Sequence, residues 1–329
     1  MSQDTEGPAI REDVHDGRGE SGSLRAWAEF FSSTGQPVFW DEGDSAIWVP
    51  GVRGELQRMP SVVTDVPDKG TIRRVLARRG VWIASCLLEE TPERPANCFD
   101  YLLFGPDYEL DALAKNARRD IRRGLRCFEV RRVDWDEVLA NGFDAYRDTE
   151  ARHGHAPPQP DELTQMADRD RGCPCVELWG ASDDRGLAAW IRVLKGDDWA
   201  FITSACSRID ALRDCPNNAL VFTAAHTFLV EEELSSVSYG ISSLQATDNI
   251  SSLHRFKLRM GFSPVRRYRQ FVVHPVLRPL LSTAPASWCW DRLARLRPSS
   301  GTLSKVAGLA RLLSGREKNP LQWADELQG

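Results

Sequence analysis

Residues 249 to 262 read NISSLHRFKLRMGF, and the stretch sets a cation among hydrocarbon. At about 100° per residue, Ile250, Leu253, Phe256 and Met260 form one apolar helical face, with Lys257 between Ile250 and Leu253 on that face. Two readings are open. In one, the alkyl stem packs on core residues while the ammonium reaches water or a carboxylate. In the other, the charge is held at the edge of a cleft. There it would stabilise negative charge developing on a polarised carbonyl, or meet a donor phosphate. Gly261, just after the helix, suits a left-handed stop in either case.

Such chemistry also needs a proton acceptor. Asp248 at the start of this helix, Tyr239 at the end of the preceding strand, His226 and His254 have the right groups. Two of them have a plain alternative: Asp248 as an N-cap, His226 as a core histidine among apolar helix residues. No Ser-His-Asp order, phosphate-binding P-loop or HExxH occurs, so hydrolase, NTPase and zincin readings find no support. Cys173 and Cys175, with His153 and His155 upstream, lack zinc-finger spacing and read as loop residues. The eight cysteines are scattered and read as reduced thiols.

The net charge of −5 hides local basic blocks. Residues 115 to 132 carry eight Lys and Arg against two carboxylates, a local charge of +6. Lys115, Arg119, Arg122 and Arg126 recur at helical spacing, and Arg118 lies beside them, a stripe suited to phosphate because a guanidinium grips two oxygens at once. A solvated helix face paired with acidic surface would look the same. A second block, Arg255 to Arg269, contains no carboxylate. Its strand RRYRQF puts Arg266 on one face and Arg267 and Arg269 on the other, so at least one arginine needs a partner. A third block, Arg292 to Arg316, reads as the solubilised face of an amphipathic tail.

The elements that must position these residues follow from periodicity. The composition, 42% hydrophobic and 27% charged over 329 residues, is that of a globular chain with room for two units. No segment approaches the length of a membrane span, and the polar start is no signal peptide, which implies a cytoplasmic protein. After a polar segment comes the helix LRAWAEFFSSTG, then strands PVFWD and AIWVP, helix TIRRVLARRG, and strands VWIASCLLEE and CFDYLLFG. A helix is expected from Glu109 to Cys127 and another from Asp134 to Arg152, ended by HGHAPPQPDE. CVELWGA, GLAAWIRVLKG and DWAFITSAC make an antiparallel meander. The helix NNALVFTAAHTFLVEEE, strand SVSYGI, the Lys257 helix and strand RRYRQFVVHP follow, all on one mixed sheet of an α+β fold.

In three places the chain resembles the FemAB-like proteins, a branch of the GNAT acyltransferases with two GNAT-like units in tandem. KNARRDIRRGLRCFEVRRV is similar to the family's basic helix between the halves, and CPNNALVFTAAHTFL to its Asn-capped helix. SYGISSLQATDNISSLHRFKLRMGFSPV carries the Phe-Lys pair and following Gly-Phe as Phe256, Lys257, Gly261 and Phe262. The resemblance covers roughly residues 25 to 275. It implies a degenerate N-terminal GNAT-like unit at 23–140 and a C-terminal unit at 141–275, while composition makes 1–22 a disordered segment and 276–329 a basic, Pro-interrupted helical tail.

The same resemblance implies amide-bond formation on a small-molecule or peptide amine, without metal. Aminoacyl-tRNA or an acyl-CoA would be the co-substrate. Phe256, Lys257, Asp248 and Tyr239 would be catalytic, and Arg118, Arg119, Arg122, Arg126, Asn217, Asn218, Arg255 and Arg267 would bind donor or substrate. GNAT proteins that use acetyl-CoA cradle its pyrophosphate on a Gly-rich loop before the helix that begins here near Asn217. The corresponding SRIDALRDCPNNAL has no glycine, which disfavours a CoA donor and favours tRNA. A non-catalytic tandem module binding RNA or a protein through the basic helix is the rival reading.

Overall fold

The structure, a computed structural model, describes residues 22–316 apart from 34, 36, 42–44, 52–53, 155, 242–247 and 298–300, and without the side chains of 248–251, 301 and 302. The segment expected to be disordered lies outside the described residues, except for Gly22. The N-terminal half contains α1 (Gly22–Ser33), β1 (Phe39–Trp40), β2 (Ile47–Pro50), β3 (Glu55–Met59), α2 (Lys69–Leu76), β4 (Ile83–Glu89) and β5 (Cys98–Phe104). Next come α3 (Lys115–Cys127), β6 (Glu129–Val133), α4 (Trp135–Asn141), α5 (Phe143–Arg152) and α6 (Pro160–Asp170). The meander is β7 (Val176–Asp183), β8 (Gly186–Lys195) and β9 (Trp199–Ser207). It is followed by α7 (Pro216–His226), β10 (Ser236–Ile241), α8 (Asp248–Arg259) and β11 (Ser263–Val273). The tail holds α9 (Arg278–Leu281), α10 (Ala284–Leu296) and α11 (Gly301–Leu313).

Among the described residues, all strands join one mixed sheet in the order β1-β2-β3-β4-β11-β5-β10-β9-β8-β7-β6. Each half builds an antiparallel run that ends in a parallel pair, β3 with β4 and β9 with β10. The last strand, β11, is inserted between β4 and β5, antiparallel to both, so the halves share one continuous sheet. The parallel pair β9 and β10 is bonded only from Trp199 to Phe201 and from Ser236 to Ser238. No described helix is long and apolar enough to cross a membrane.

Alternation along each strand sorts the layers. On β7, Leu178 packs with Trp135, Val138, Leu163 and Trp190 of one core, while its neighbour Trp179 joins the larger core with Phe222, Phe228 and Met260. Helix α7 is apolar nearly all round, with Ala219, Leu220, Val221, Phe222, Ala224 and Ala225 buried, because it is covered by the sheet below and α3 above. It continues as one π-helical turn, Thr227–Glu231, before β10.

Several expected boundaries shift. The helix expected from Glu109 starts at Lys115, preceded by a 3-10 turn at Leu110–Ala112. The stretch 134–152 breaks at Gly142, whose carbonyl accepts the Trp190 indole N–H at 3.0 Å. A side chain on Gly142 would stand 2.7 Å from the Val138 carbonyl, so the close approach to Trp190 needs glycine. The breaker-rich PPQPDE opens a helix rather than only ending one. Pro160 sits in the first turn, where its missing N–H costs nothing, and Glu162 accepts the Gln159 N–H at 3.0 Å. The short strands β3 and β6 complete the sheet without a counterpart among the expected elements.

Helix α3 buries Ala117, Ile121 and Gly124, spaced four and three apart, and presses Gly124 onto the start of α7. A Cβ there would lie 2.5 Å from the Cys215 carbonyl oxygen and 2.8 Å from the Ala219 Cβ. Gly124→Ala is therefore expected to destabilise the protein by about 1 to 3 kcal/mol through overpacking, despite alanine's better helix propensity. Urea unfolding checks it, and an unchanged or raised midpoint would mean that α3 lifts away from α7 freely.

Candidate active site

Helix α8 is anchored at its C-terminal end. Met260 and Phe262 are buried in the larger core, the Tyr108 hydroxyl donates to the Met260 carbonyl at 2.8 Å, and Gly261 takes φ +89°. That anchoring points Lys257 at the sheet. The side chain is 4% exposed, so it does not reach bulk water. Its Nζ lies 4.2 Å from the centroid of the Tyr101 ring on β5 and 5.0 Å from that of Tyr239 on β10. It also donates to the Gly240 carbonyl at 3.4 Å. Gly240 stands at φ +75° within the irregular register of β10 on β5. Burial pushes the Lys257 ammonium down to about 7, and the Asp100 carboxylate partly opposes the shift.

Asp100, on β5 beside Tyr101, is 1% exposed. Its Oδ1 accepts the Ser238 hydroxyl at 2.9 Å, and its Oδ2 makes no hydrogen bond to a described residue. Burial raises this carboxyl above the usual range, against the Ser238 hydrogen bond and the charges of Arg267 and Lys257. Burial thus drives both ionisable groups toward their neutral forms, while each favours the charged form of the other. The Tyr101 hydroxyl shares a short hydrogen bond with His254 Nδ1, whose imidazole is held down by burial and by Lys257. Asp100 and Tyr101 were not singled out in the sequence; the available signal was a lone carboxylate inside the apolar strand CFDYLLF.

The other sequence candidates distribute around this centre. Phe256 is half-buried and packs edge-on against Tyr239, centroids 6.1 Å apart, so it supports the cage rather than facing its charge. Burial pushes the Tyr239 phenol up, away from the range of a base at neutral pH. Asp248 begins α8, but its side chain lies outside the described residues. Arg255 is exposed. Arg267 is half-buried on β11, near enough to Asp100 to lower its carboxyl, and its Nε makes no hydrogen bond to a described residue. The partners required in this strand are Glu90 for Arg266, at 2.7 Å, and buried Glu55 for Arg269, at 3.5 Å.

The basic stripe is exposed and extensively paired. Arg118 and Arg122 share Asp111 at 3.8 and 3.0 Å, Arg119 and Arg259 share Asp120 at 3.0 and 3.3 Å, and Arg123 meets Asp214 at 2.8 Å. Lys115 and Arg126 form no ion pair with a described residue. The Asn-capped helix is corrected: Cys215, at φ +61°, is the N-cap of α7 and Pro216 its first residue. The Asn217 amide instead donates to the Ser207 hydroxyl at 3.1 Å, and that of Asn218 to the Met260 sulfur at 3.4 Å. Proline's preset φ starts the helix one residue before the first asparagine.

Between β9 and α7 the chain spends its own amides. The N–H groups of Leu212, Asp214 and Cys215 donate to the carbonyls of Ile209, Ala211 and Leu212, and that of Ile209 donates to the Asp148 carboxylate at 2.9 Å. A groove of about 510 Å³ runs beside this loop. Its lining pairs Arg208 with Asp183 and Arg185 with Asp210, while Arg213 and Asp214 lie 3.3 Å apart. A pyrophosphate here would meet occupied amides, and three arginines each paired with an aspartate.

No protein-family model matches the chain, and no curated protein is similar enough in sequence to count as a relative. Solved structures do match. FemX is 12% identical, with 78% of this chain and 93% of that one covered at a TM-score of 0.53. L-PGS from Bacillus licheniformis is 11% identical, with 91% and 94% covered at a TM-score of 0.50. The chain shares the fold of these two proteins, α+β on one mixed sheet.

Proposed function

We propose that the protein is an acyl or aminoacyl transferase that forms an amide bond on an amine acceptor, with aminoacyl-tRNA as the favoured donor. The observation that carries this reading is the buried Lys257, held over two tyrosine rings and near the buried Asp100 carboxyl, whose Oδ2 makes no hydrogen bond to a described residue. Buried groups pushed toward neutral pH in opposite directions are suited to moving charge during a reaction. The amine nitrogen attacks the donor's ester carbon, and the Lys257 ammonium stabilises the resulting oxyanion. Asp100 takes the proton that the amine loses. Collapse then forms the amide and expels the ester oxygen with its bonding pair, and that oxygen takes the proton from Asp100 to leave as the hydroxyl.

The loop before α7 supports an ester of tRNA over a CoA thioester. Its amides are used internally, and the arginines beside it are each engaged by an aspartate. We expect acetyl-CoA to bind with a Kd above about 100 μM. Charged tRNA would use Arg118, Arg119, Arg122 and Arg126; the ion pairs of the first three are worth about 0 to 1 kcal/mol each and so yield readily to phosphate. Four such contacts imply a slope of log affinity on log salt of about −3. Calorimetry with acetyl-CoA and longer acyl-CoAs checks the first expectation, and a low-micromolar constant for any of them would move the donor to a thioester. The function itself is tested by incubating the protein with charged tRNAs, or with acyl-CoAs, and a panel of primary amines, then weighing the products. An amine gaining the mass of the acyl group supports the proposal; donor and amine recovered intact under every pairing would defeat it.

A further inference from the structure

The tail following the sheet carries a surface that the transfer site does not use. Residues 276–316 hold seven Lys and Arg against one acid, a local charge of +6 in a chain whose net charge is −5. That one acid, Asp291, is turned inward and already satisfied by Arg311 at 2.6 Å and Arg316 at 3.3 Å. Arg278, Arg292, Arg295 and Lys305 are exposed and form no ion pair with a described residue.

Large apolar side chains share this surface. Helices α9, α10 and α11 pack mainly on one another, with Ser287 and Asp291 of α10 and Ala307 and Ala310 of α11 buried. The opposite face of α10 presents Trp288, Leu293 and Leu296 at 64%, 45% and 70% exposure, and Leu280 beside α10 is 55% exposed. At helical spacing, Arg292 falls between Trp288 and Leu296, and Arg295 flanks Trp288. Arg316 also lies 4.2 Å from the Trp288 ring centroid. A soluble helix places leucine and tryptophan inward, and here they point out among cations.

We propose that this face of α10 docks the protein on an anionic lipid surface. Charge complementarity selects that occupant. A second copy of the same face would set arginines against arginines, and a nucleic acid would leave the leucines without hydrocarbon to enter. An interfacial helix needs both elements: apolar side chains that enter the headgroup boundary, and arginines that meet lipid phosphates. The tryptophan ring, apolar with a polar N–H edge, suits that boundary. The proposal is independent of the transferase reading, since it concerns neither Lys257 nor a donor.

Flotation of the full chain with vesicles tests it, using phosphatidylcholine alone and phosphatidylcholine mixed with phosphatidylglycerol. Binding is expected to the mixed vesicles only, and to weaken as salt rises. Arg292→Ala with Arg295→Ala should lower partitioning about thirtyfold, from roughly 1 kcal/mol per basic residue near the anionic surface. Trp288→Ser with Leu296→Ser should lower it at least as far by removing the inserted groups. All four positions are exposed, so thermal melts of the variants should overlay the parent's. Absence of binding, equal binding to both vesicle types, or binding unchanged in both double variants would overturn the proposal. So would a dimer in sedimentation velocity that the same substitutions dissociate.

Discussion

Lys257→Met is expected to reduce amide formation by about 10² to 10³ while the melting temperature stays at or above that of the parent. The two outcomes part because the lysine is buried. Methionine keeps the length of the stem and the contact with Tyr101 and Tyr239, and it removes a charge whose burial is unfavourable. The sign can be checked by pH. Burial lowers the ammonium from its ordinary 10.5 to about 7 in the folded chain. Between those values the unfolded chain holds more protons, so stability should rise with pH across that window, and Lys257→Met should abolish the rise. Activity should move the other way. A stabilising ammonium is lost as pH climbs through about 7, so kcat/KM should fall on the alkaline side, whereas a neutral lysine acting as base would make it rise. A variant that loses both turnover and its melting transition would make Lys257 a structural residue, and the proposed chemistry would have no cation.

The second large effect is on stability, in the N-terminal half. Arg58 on β3 is 4% exposed and donates from its Nε to Asp41 at 2.5 Å and from its Nη1 to the Asp65 carbonyl at 2.7 Å. Asp41 is 5% exposed and also accepts the Trp48 indole N–H at 3.1 Å. Arg58→Met is therefore expected to cost about 3 to 5 kcal/mol, because it strands the Asp41 charge in the core. Adding Asp41→Asn should restore part of that loss, since the amide is neutral and still accepts from Trp48. Urea unfolding of the parent, the two single variants and the double variant measures the coupling. A single-variant loss below about 1 kcal/mol would show that water reaches Asp41 freely and that the network is a surface one.

The elements that sequence reasoning anticipated have strong local periodicity. The meander β7–β8–β9, the apolar α7, and the order β10, α8, β11 are all visible in spacing and turn residues. What escaped was short or locally contradictory. ELQRM and EVRRV are five-residue strands rich in charge, and α6 begins within a run of prolines. In each case the signal comes from partners: β3 pairs with β2 and β4, and β6 with β7.

By itself, the sequence determined that Lys257 shares a face with Ile250, Leu253, Phe256 and Met260, since helical spacing alone sets that. It also determined that SRIDALRDC lacks the glycines of an amide cradle, and that arginines stand on both faces of RRYRQF. Only the tertiary structure decided that Lys257 would meet Tyr101 and Asp100, on a strand five helices earlier, instead of water. It also decided that β11 would enter between β4 and β5, and that Asp111, Asp120 and Asp214 would neutralise much of the basic stripe. The physical reason is common to all three. A strand's period of two fits many neighbours equally well, and the partner of a buried charge is chosen by the packing of remote segments, which leaves no trace in local spacing.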